Sequence, residues 1–249
     1  MNKVTVSIVS HEQSEMVHEL LEQIAKNTTQ VSRVIVTHNI KCINDSFNKI
    51  YPFEVINIQN NYPLGFGANH NNAFDSCVTS YFCVMNPDIQ ILEDPFKALL
   101  SCLEDSSVAL VSPCIKNLDG KVEDNARFFP TPIRLIKKVL FGQNGSFPID
   151  LTKKVNFPDW VAGMFLVFPT SKYIELNGFD DSYFLYYEDV DICTRIWKNG
   201  SKVGLCSLVT VIHDAQRSSH KNFKYLKWHI TSALRFYINN FGRLPKKVC

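Results

Sequence analysis

The feature that most constrains this 249-residue chain is an alternation of two hydrophobic periods along its first half. "KVTVSIVS" (3–10) alternates and is rich in β-branched residues, which reads as a strand. "SEMVHELLEQIAKN" (14–27) gathers Met16, Val17, Leu20, Leu21 and Ile24 on one helical face. "SRVIVTHN" (32–39) and "FEVINIQN" (53–60) are further strands. "GANHNNAFDSCVTS" (67–80) reads as a helix opened by a glycine turn, and "YFCVMNPD" (81–88) as a buried strand that stops at Asn-Pro. "DPFKALLSCLED" (94–105) is a helix and "SVALVSP" (107–113) a strand. Strands separated by helices pair mostly in parallel, with helices covering both faces, so the predicted class is α/β with a mostly parallel sheet. Such sheets bind ligands beyond the carboxyl ends of their strands. The positions to watch are therefore Ser10, His11 and Glu12, then His38 and Asn39, then Asn86, Pro87 and Asp88.

The second half changes character. "GKVEDNARFFP" (120–130) predicts a hairpin or extended excursion, and "TPIRLIKKVLFG" (131–142) a short basic helix. "DWVAGMFLVFP" (159–169) is strand-like, and "TSKYIELNGFDD" (170–181) gives a short capped helix and a glycine turn. A helix over 189–198 and strands "KVGLCS" (202–207) and "LVTVIHD" (208–214) follow. "NFKYLKWHITSALRFYINNF" (222–241) spaces Phe223, Leu226, Ile230, Leu234, Tyr237 and Phe241 three or four residues apart, the pattern of a long amphipathic helix. No repeat or low-complexity linker interrupts the chain. One compact domain, 1–215, with a basic helical extension, 216–249, is the simplest organisation.

A hydrophobic content of 45% suits a packed core. The longest apolar run, "VAGMFLVF" (161–168), is stopped by Pro169 and is too short to span a bilayer. The N-terminus lacks a signal-peptide layout, so the expected location is the cytoplasm. The eight cysteines form no C-x-x-C pair and several lie in apolar runs, which reads as reduced, structural thiols. The net charge of +2 hides an asymmetry. From His213 onward eight Lys/Arg face one acid, Asp214, which leaves 18 basic against 23 acidic side chains in the first 212 residues. A basic end on a mildly acidic body points to an anionic partner.

Four stretches carry candidate chemistry. "YYEDVDIC" (186–193) crowds Glu188, Asp189 and Asp191 behind aromatic residues. One reading is a helix start capped by Asp189, with its neighbours favoured by the helix dipole. The other is a functional carboxylate whose pKa is raised by apolar surroundings and like charges. "MNPDIQI" delivers Asn86 and Asp88 at a strand end, as hard oxygen ligands for magnesium or manganese or as an ordinary turn. His213 ends another strand and gains meaning only if the fold brings it to Asp88. "YPLGFGANHNNA" (62–73) offers Gly65, Gly67 and a helix start to an anion, but it lacks the third glycine of a dinucleotide fingerprint.

Taken in order, "IVSHEQ", "LGFGANHNNA", "MNPDI", "DWVAGMFLVF", "GFDDSYFLYYEDVDICTRI" and "WHITSALRFY" resemble the family 2 inverting glycosyltransferases of the GT-A fold. They are most similar to the bacterial O-antigen and cell-wall rhamnosyltransferases, and the resemblance spans nearly the whole chain. It implies a nucleotide-sugar-binding half over 1–112 and an acceptor-binding half over 113–215. It implies Asp189 as catalytic base, with Glu188 beside it to position or polarise the acceptor. Asp88 matches the family's metal acid, with Asn86 where many members carry another acid, and His213 matches the histidine that completes the site. The cofactor implied is a divalent metal, magnesium or manganese. Ser10, His11, Asn39, Gly67, Asn69, Asn71 and Asn86 fall where the family holds the donor nucleotide, and His38 replaces an aspartate common there. Trp160, Gly163, Glu188 and Arg217 fall on the acceptor side.

The activity implied is transfer of a sugar, L-rhamnose from dTDP-rhamnose, onto a saccharide or polyprenyl-diphosphate-linked saccharide. Another donor of the same family stays open, as does a non-catalytic nucleotide-sugar binder. A sugar-1-phosphate nucleotidyltransferase would need a glycine- and arginine-rich loop after the first strand, where this chain has "SHEQSE". No nucleic-acid-binding motif is present. The apolar face of the C-terminal helix, flanked by Lys221, Lys224, Lys227 and Arg235, is expected to meet the membrane surface, the sheet, or a second subunit as a homodimer.

Overall fold

The structure, a computed structural model, describes residues 3–40, 49–142, 145–214 and 223–245. The described strands β1 (Val4–Ser10), β2 (Val31–His38), β3 (Glu54–Gln59) and β4 (Tyr81–Met85) pair in parallel in the order β3-β2-β1-β4. β1 is buried on both faces, as its near-continuous β-branched sequence requires of a central parallel strand. Helix α1 (Ser14–Asn27) buries Val17, Leu20, Leu21 and Ile24, the stripe predicted from the sequence, against that half of the sheet. The carboxyl ends of the first three strands finish level, with Ser10 opposite His38 and His38 opposite Gln59.

Beyond β4 the sheet is less parallel than the sequence suggests. β10 (Phe165–Pro169) inserts between β4 and β6 (Val108–Lys116), antiparallel to both. An all-apolar strand carries no mark of its direction, so this reversal was invisible to periodicity. Residue 112 lies inside β6, so the two expected halves share a strand. The two strands expected over 202–214 are one, β11 (Lys202–His213), which pairs with β6 through a register shift between Cys206 and Thr210. Its far end pairs antiparallel with the two-residue β5 (Ile89–Gln90), placing His213 opposite Ile89. β8 (Val155–Asn156) pairs antiparallel with β11 at Leu205 and Cys206.

The strand expected over 159–169 is broken. β9 (Trp160–Val161) pairs with β7 (Ala126–Arg127) in a separate small sheet, and Ala162, Gly163 and Met164 connect it to β10. Helix α2 (Phe66–Phe74) starts one residue earlier than expected and ends six earlier, because Gly65 is its N-cap. Helices α3 (Phe96–Cys102) and α4 (Pro132–Phe141) lie where expected. α5 (Thr170–Glu175) has no side-chain cap; Pro169, not a hydroxyl residue, precedes it. The described cysteines, Cys77, Cys83, Cys102, Cys114, Cys193 and Cys206, are free thiols.

α6 (Glu188–Lys198) begins at Glu188, which removes the capping reading of Asp189. Its N-cap is Tyr187, at φ 70°, after Tyr186 at φ 68°. Two tyrosines in the left-handed region carry a strain of roughly 1–2 kcal/mol each. Packing holds them there: Tyr187 is buried against Phe236 and His229, and Tyr186 lies edge-on to His229. The long helix α7 (Phe223–Asn240) supplies those partners and docks through Ser232, Phe236 and Asn240. Ser232 Oγ donates to the Leu185 carbonyl at 2.9 Å, and Lys198 Nζ donates to Asn240 Oδ1 at 2.6 Å. Of the stripe predicted to be the packing or inserting face, Phe223, Leu226, Ile230, Leu234 and Phe241 lie on the opposite side, exposed, whereas Tyr237 joins the docked cluster. Among the described residues no helix is long and apolar enough to cross a membrane.

Candidate active site

Three segments from distant parts of the chain are stitched together by hydrogen bonds from backbone amides. The Asn86 N–H donates to the Met164 carbonyl at 2.9 Å, which ties the turn after β4 to the loop between β9 and β10. One residue earlier, the Gly163 N–H donates to Asp189 Oδ2 at 3.2 Å. Asp189 Oδ1 accepts from the Val190 N–H at 2.8 Å. The acid after the Asn-Pro turn and the carboxylate at the start of α6 thereby flank one short loop. Position 163 is tight: a Cβ there would come within 3.2–3.3 Å of the Phe66 ring, which would have to give by a few tenths of an ångström, and would lie 3.9 Å from the Asp189 Cβ.

The two carboxyl groups opening α6 differ in environment. Asp189 is partly exposed, and burial of its surroundings raises its pKa to about 6 against the opposing pull of the Val190 and Gly163 amides and of Arg127. Glu188 is 5% exposed, and burial, followed by the neighbouring Asp189 charge, pushes its pKa well above the usual carboxylate range. Its Oε2 is buried without a hydrogen-bond partner. Asp189 is thus the ionised, solvent-reachable member of the pair, and Glu188 holds its proton.

The pairing that sequence alone left open is made. The β5–β11 register sets Asp88 beside His213: Nε2 lies 3.3 Å from Asp88 Oδ2, and Nδ1 lies 2.8 Å from Glu123 Oε2. The Asp214 N–H donates to the Asp88 carbonyl at 2.9 Å and locks this corner. Burial lowers the imidazole pKa, but the bonds and charges of Asp88 and Glu123 outweigh it and raise the value to about 8. Asp88 Oδ1 is buried and unpartnered. An orphaned carboxylate oxygen beside an imidazole nitrogen is a donor set that suits a divalent cation. Among the described residues no cluster of three or more His, Cys, Asp or Glu could hold a metal by itself.

At the strand ends the polar residues sort into two groups. His11 is exposed at the end of β1. Ser10 is buried and its Oγ accepts from the Gln13 N–H. Asn39 and Asn69 are buried in a network: Asn60 Nδ2 donates to both their Oδ1 atoms, and both donate to the Leu64 carbonyl. They clamp the loop before α2 and spend their polar atoms doing so. Asn71 is likewise committed: its Nδ2 donates to the Phe179 carbonyl and to Asp181, and its Oδ1 accepts from Tyr173 and the Phe179 N–H. Gly67 is small because of packing, since a Cβ there would sit 2.6 Å from the Phe179 Cβ. On the acceptor side Trp160 Nε1 donates to the Phe128 carbonyl, and the Arg127 guanidinium lies 5.7 Å over the Trp160 ring. Arg217 lies outside the described residues. His38 is buried, with Nε2 3.1 Å from Asn57 Oδ1.

Sequence reasoning missed Glu123, Arg127 and His70. Glu123 and Arg127 lie in the excursion that was read only as a hairpin, where nothing local marks a residue that reaches His213 or Asp189. His70 on α2 bonds Ser7 Oγ at 2.8 Å, and burial lowers its pKa to about 3. It is a neutral core histidine.

No protein family model matches the chain. The fold superposes on GalNAc-T7, solved with UDP, GalNAc and Mn2+, with a TM-score of 0.70 and 14% identity, over 94% of this chain and 48% of that one. It also superposes on the mannosyltransferase PcManGT from Pyrobaculum calidifontis, solved with GDP-Man and Mn2+, with a TM-score of 0.62 and 13% identity, over 94% and 64% of the two chains. In sequence the chain is 25% identical over 244 residues to the rhamnosyltransferase WbbL of Escherichia coli strain K12, covering 94% of this chain and 92% of that protein. The chain is a glycosyltransferase of the GT-A fold, similar in sequence to rhamnosyltransferases. A second relative is the N-acetylglucosaminyl-diphospho-decaprenol L-rhamnosyltransferase of Mycobacterium tuberculosis (strain ATCC 25618 / H37Rv), 27% identical over 180 residues, 68% of this transferase and 59% of the relative. The transferase thus spans most of WbbL but only part of the other three proteins.

Proposed function

We propose that this glycosyltransferase inverts the sugar it moves, using L-rhamnose from dTDP-rhamnose and a saccharide or polyprenyl-diphosphate-linked saccharide acceptor in polysaccharide synthesis such as that of O-antigen. The observation that carries the reading is Asp189: a partly exposed carboxylate pinned by two amides, with a pKa of about 6, one loop away from Asp88 and His213. Single displacement needs one base on the acceptor side and charge neutralisation on the leaving-group side. Asp189 accepts the acceptor's hydroxyl proton. The Gly163 and Val190 amides fix its rotamer, so little orientation remains to be lost on binding. Protonated Glu188 adds no second negative charge where the incoming oxygen develops one.

Asp88 and His213 would hold a magnesium or manganese ion, with Glu123 fixing the imidazole from its other nitrogen. Bound there, a divalent cation would neutralise the diphosphate released with the nucleotide. His11 and the strand ends around Asn39 border the nucleotide. The committed polar atoms of Asn39, Asn69 and Asn71 suit scaffolding better than direct contact. Rhamnose is supported by the two rhamnosyltransferase relatives, and a lipid-linked acceptor by the name of the mycobacterial one. The complexes of structural relatives with UDP and with GDP-Man make UDP-sugars and GDP-sugars the runner-up donors. The place of action follows the acceptor: the cytoplasmic face of the inner membrane, with the C-terminal extension in peripheral contact.

The test is a donor panel of dTDP-rhamnose, other dTDP-sugars, UDP-sugars and GDP-sugars against a synthetic GlcNAc-diphosphate-lipid acceptor with manganese. Turnover with dTDP-rhamnose and inverted product stereochemistry is expected. Turnover confined to another nucleotide would overturn rhamnose alone. Tight donor binding with neither transfer nor slow donor hydrolysis would make the protein a non-catalytic binder.

A further inference from the structure

We infer that α4 and α7 together form a two-helix surface that seats this protein on an anionic lipid bilayer; the inference rests on the membrane-contact part of the proposed function and adds a second helix to it. α7 is docked by one face and apolar on the other. Ser232, Phe236 and Asn240 are buried, whereas Phe223, Leu226, Ile230, Leu234, Ile238 and Phe241 are 49–82% exposed. At 100° per residue those six lie within about 60° of one line, roughly opposite Phe236. α4 repeats the arrangement. Arg134 turns inward, its Nη1 donating to the Phe129 carbonyl and its guanidinium lying 4.5 Å over the Phe128 ring. Ile133, Ile136 and Leu140 share the outward stripe and are 57–67% exposed, with Phe141 beside them at 71%.

Both helices are rooted in one place. Phe129, just before α4, packs in the same cluster as Phe236 of α7, together with Tyr187 and Val190. That cluster adjoins Glu188 and Asp189, so a surface set by these two helices lies beside the catalytic carboxylates. A lipid-linked acceptor would then present its sugar at the depth of the base.

Charge decides the occupant. Over their 28 residues the two helices carry six Lys/Arg (Arg134, Lys137, Lys138, Lys224, Lys227, Arg235) and no Asp or Glu. A second copy meeting the same surface across a two-fold axis would set the exposed Lys137, Lys224, Lys227 and Arg235 against like charges. An anionic bilayer accepts both the apolar stripes and the cations. Exposed apolar rows of this extent favour aggregation unless something covers them.

The test is flotation of the full chain, without sugar donor, with phosphatidylglycerol-containing vesicles and with neutral phosphatidylcholine vesicles. Two triple variants accompany it: Ile133→Ser/Ile136→Ser/Leu140→Ser on α4 and Leu226→Ser/Ile230→Ser/Leu234→Ser on α7. The wild type should float with the anionic vesicles in a salt-sensitive manner and much less with the neutral ones. Each variant should bind at least about tenfold more weakly, with unchanged melting and unchanged dTDP binding, because the replaced side chains face solvent. Wild-type binding by the α4 variant overturns the two-helix surface. Absence of flotation at low salt overturns membrane seating altogether, and a wild-type dimer that either variant splits would identify a second copy as the occupant. Vesicle binding without sugar transfer would count against the transferase reading and leave this surface standing. Transfer to a soluble acceptor without vesicle binding would do the reverse.

Discussion

Asp189 sits where opposing forces are close to balance. The first turn of α6 and two amides favour its charge, and the apolar surroundings disfavour it more strongly. The result is a carboxylate that is ionised at neutral pH yet basic enough to take a proton in the transition state. Asp189→Asn should lower kcat by at least ~10²-fold while leaving dTDP affinity near normal, because the base touches only the acceptor. For the wild type, kcat/KM should rise as pH increases through about 6, as Asp189 loses its proton. A flat profile between pH 5 and 7 in pre-steady-state turnover would remove Asp189 from the base role. Asp88 and His213 act on the other substrate. Asp88→Asn and His213→Ala should each weaken manganese-dependent binding of dTDP, read by calorimetry. Equal wild-type affinity with manganese and with chelator would mean that the donor site works without a metal.

At the scale of elements, α2 and the segment 178–184 show how closely the donor and acceptor sides are coupled. The Phe66 N–H donates to the Phe184 carbonyl at 2.9 Å, and a Cβ on Gly65 would meet that oxygen at 2.7 Å. Gly67→Ala would press on Phe179 and shift the chain leading into Tyr186 and Tyr187. A loss of about 1–3 kcal/mol in chemical denaturation is expected, together with lower kcat, although no group of reacting chemistry is removed. An unchanged midpoint would mean that segment 178–184 moves freely. The same elements mark where the sequence was legible. α1 and the first four strands were readable because one apolar face was written in a clean period. The Asn-Pro-Asp turn and the carboxylates at 188–189 were readable because their residue types are costly to bury without a purpose. β10 was not readable as antiparallel, since a strand apolar on both faces has no direction. The Asp88–His213 contact depends on a two-residue strand that no window detects. The face on which α7 docks was not readable, because a helix held by Ser232, Phe236 and Asn240 breaks the rule that the apolar stripe packs inward.

For the molecule as a whole, the carboxylates at the start of α6 place function in conflict with stability. Asp189, Glu188 and Asp191 all have pKa values raised in the folded state, chiefly by burial. Below about pH 4 each is protonated whether the chain is folded or not, and the site costs little. As pH rises, the unfolded chain releases these protons first, near the ordinary carboxylate pKa of about 4, so folding loses free energy until the folded-state values are passed. For Asp189 that window closes near pH 6. Over it, a rise of this size corresponds to about 1–3 kcal/mol, with the partial exposure of Asp189 favouring the lower figure. Asp189→Asn keeps the shape and one acceptor oxygen, enough for the Gly163 or the Val190 amide as in a protonated carboxyl, and carries no charge. The inactive variant should therefore melt with the wild type at pH 4 and roughly 2–8 °C above it at pH 8. Taking the difference between the two proteins at each pH cancels the titration of every other carboxylate. If the variant melts lower at pH 8, the charge-assisted bonds from Gly163 and Val190 outweigh desolvation, and Asp189 would be a stabilising first-turn acid and not a base held ready at a cost to the fold.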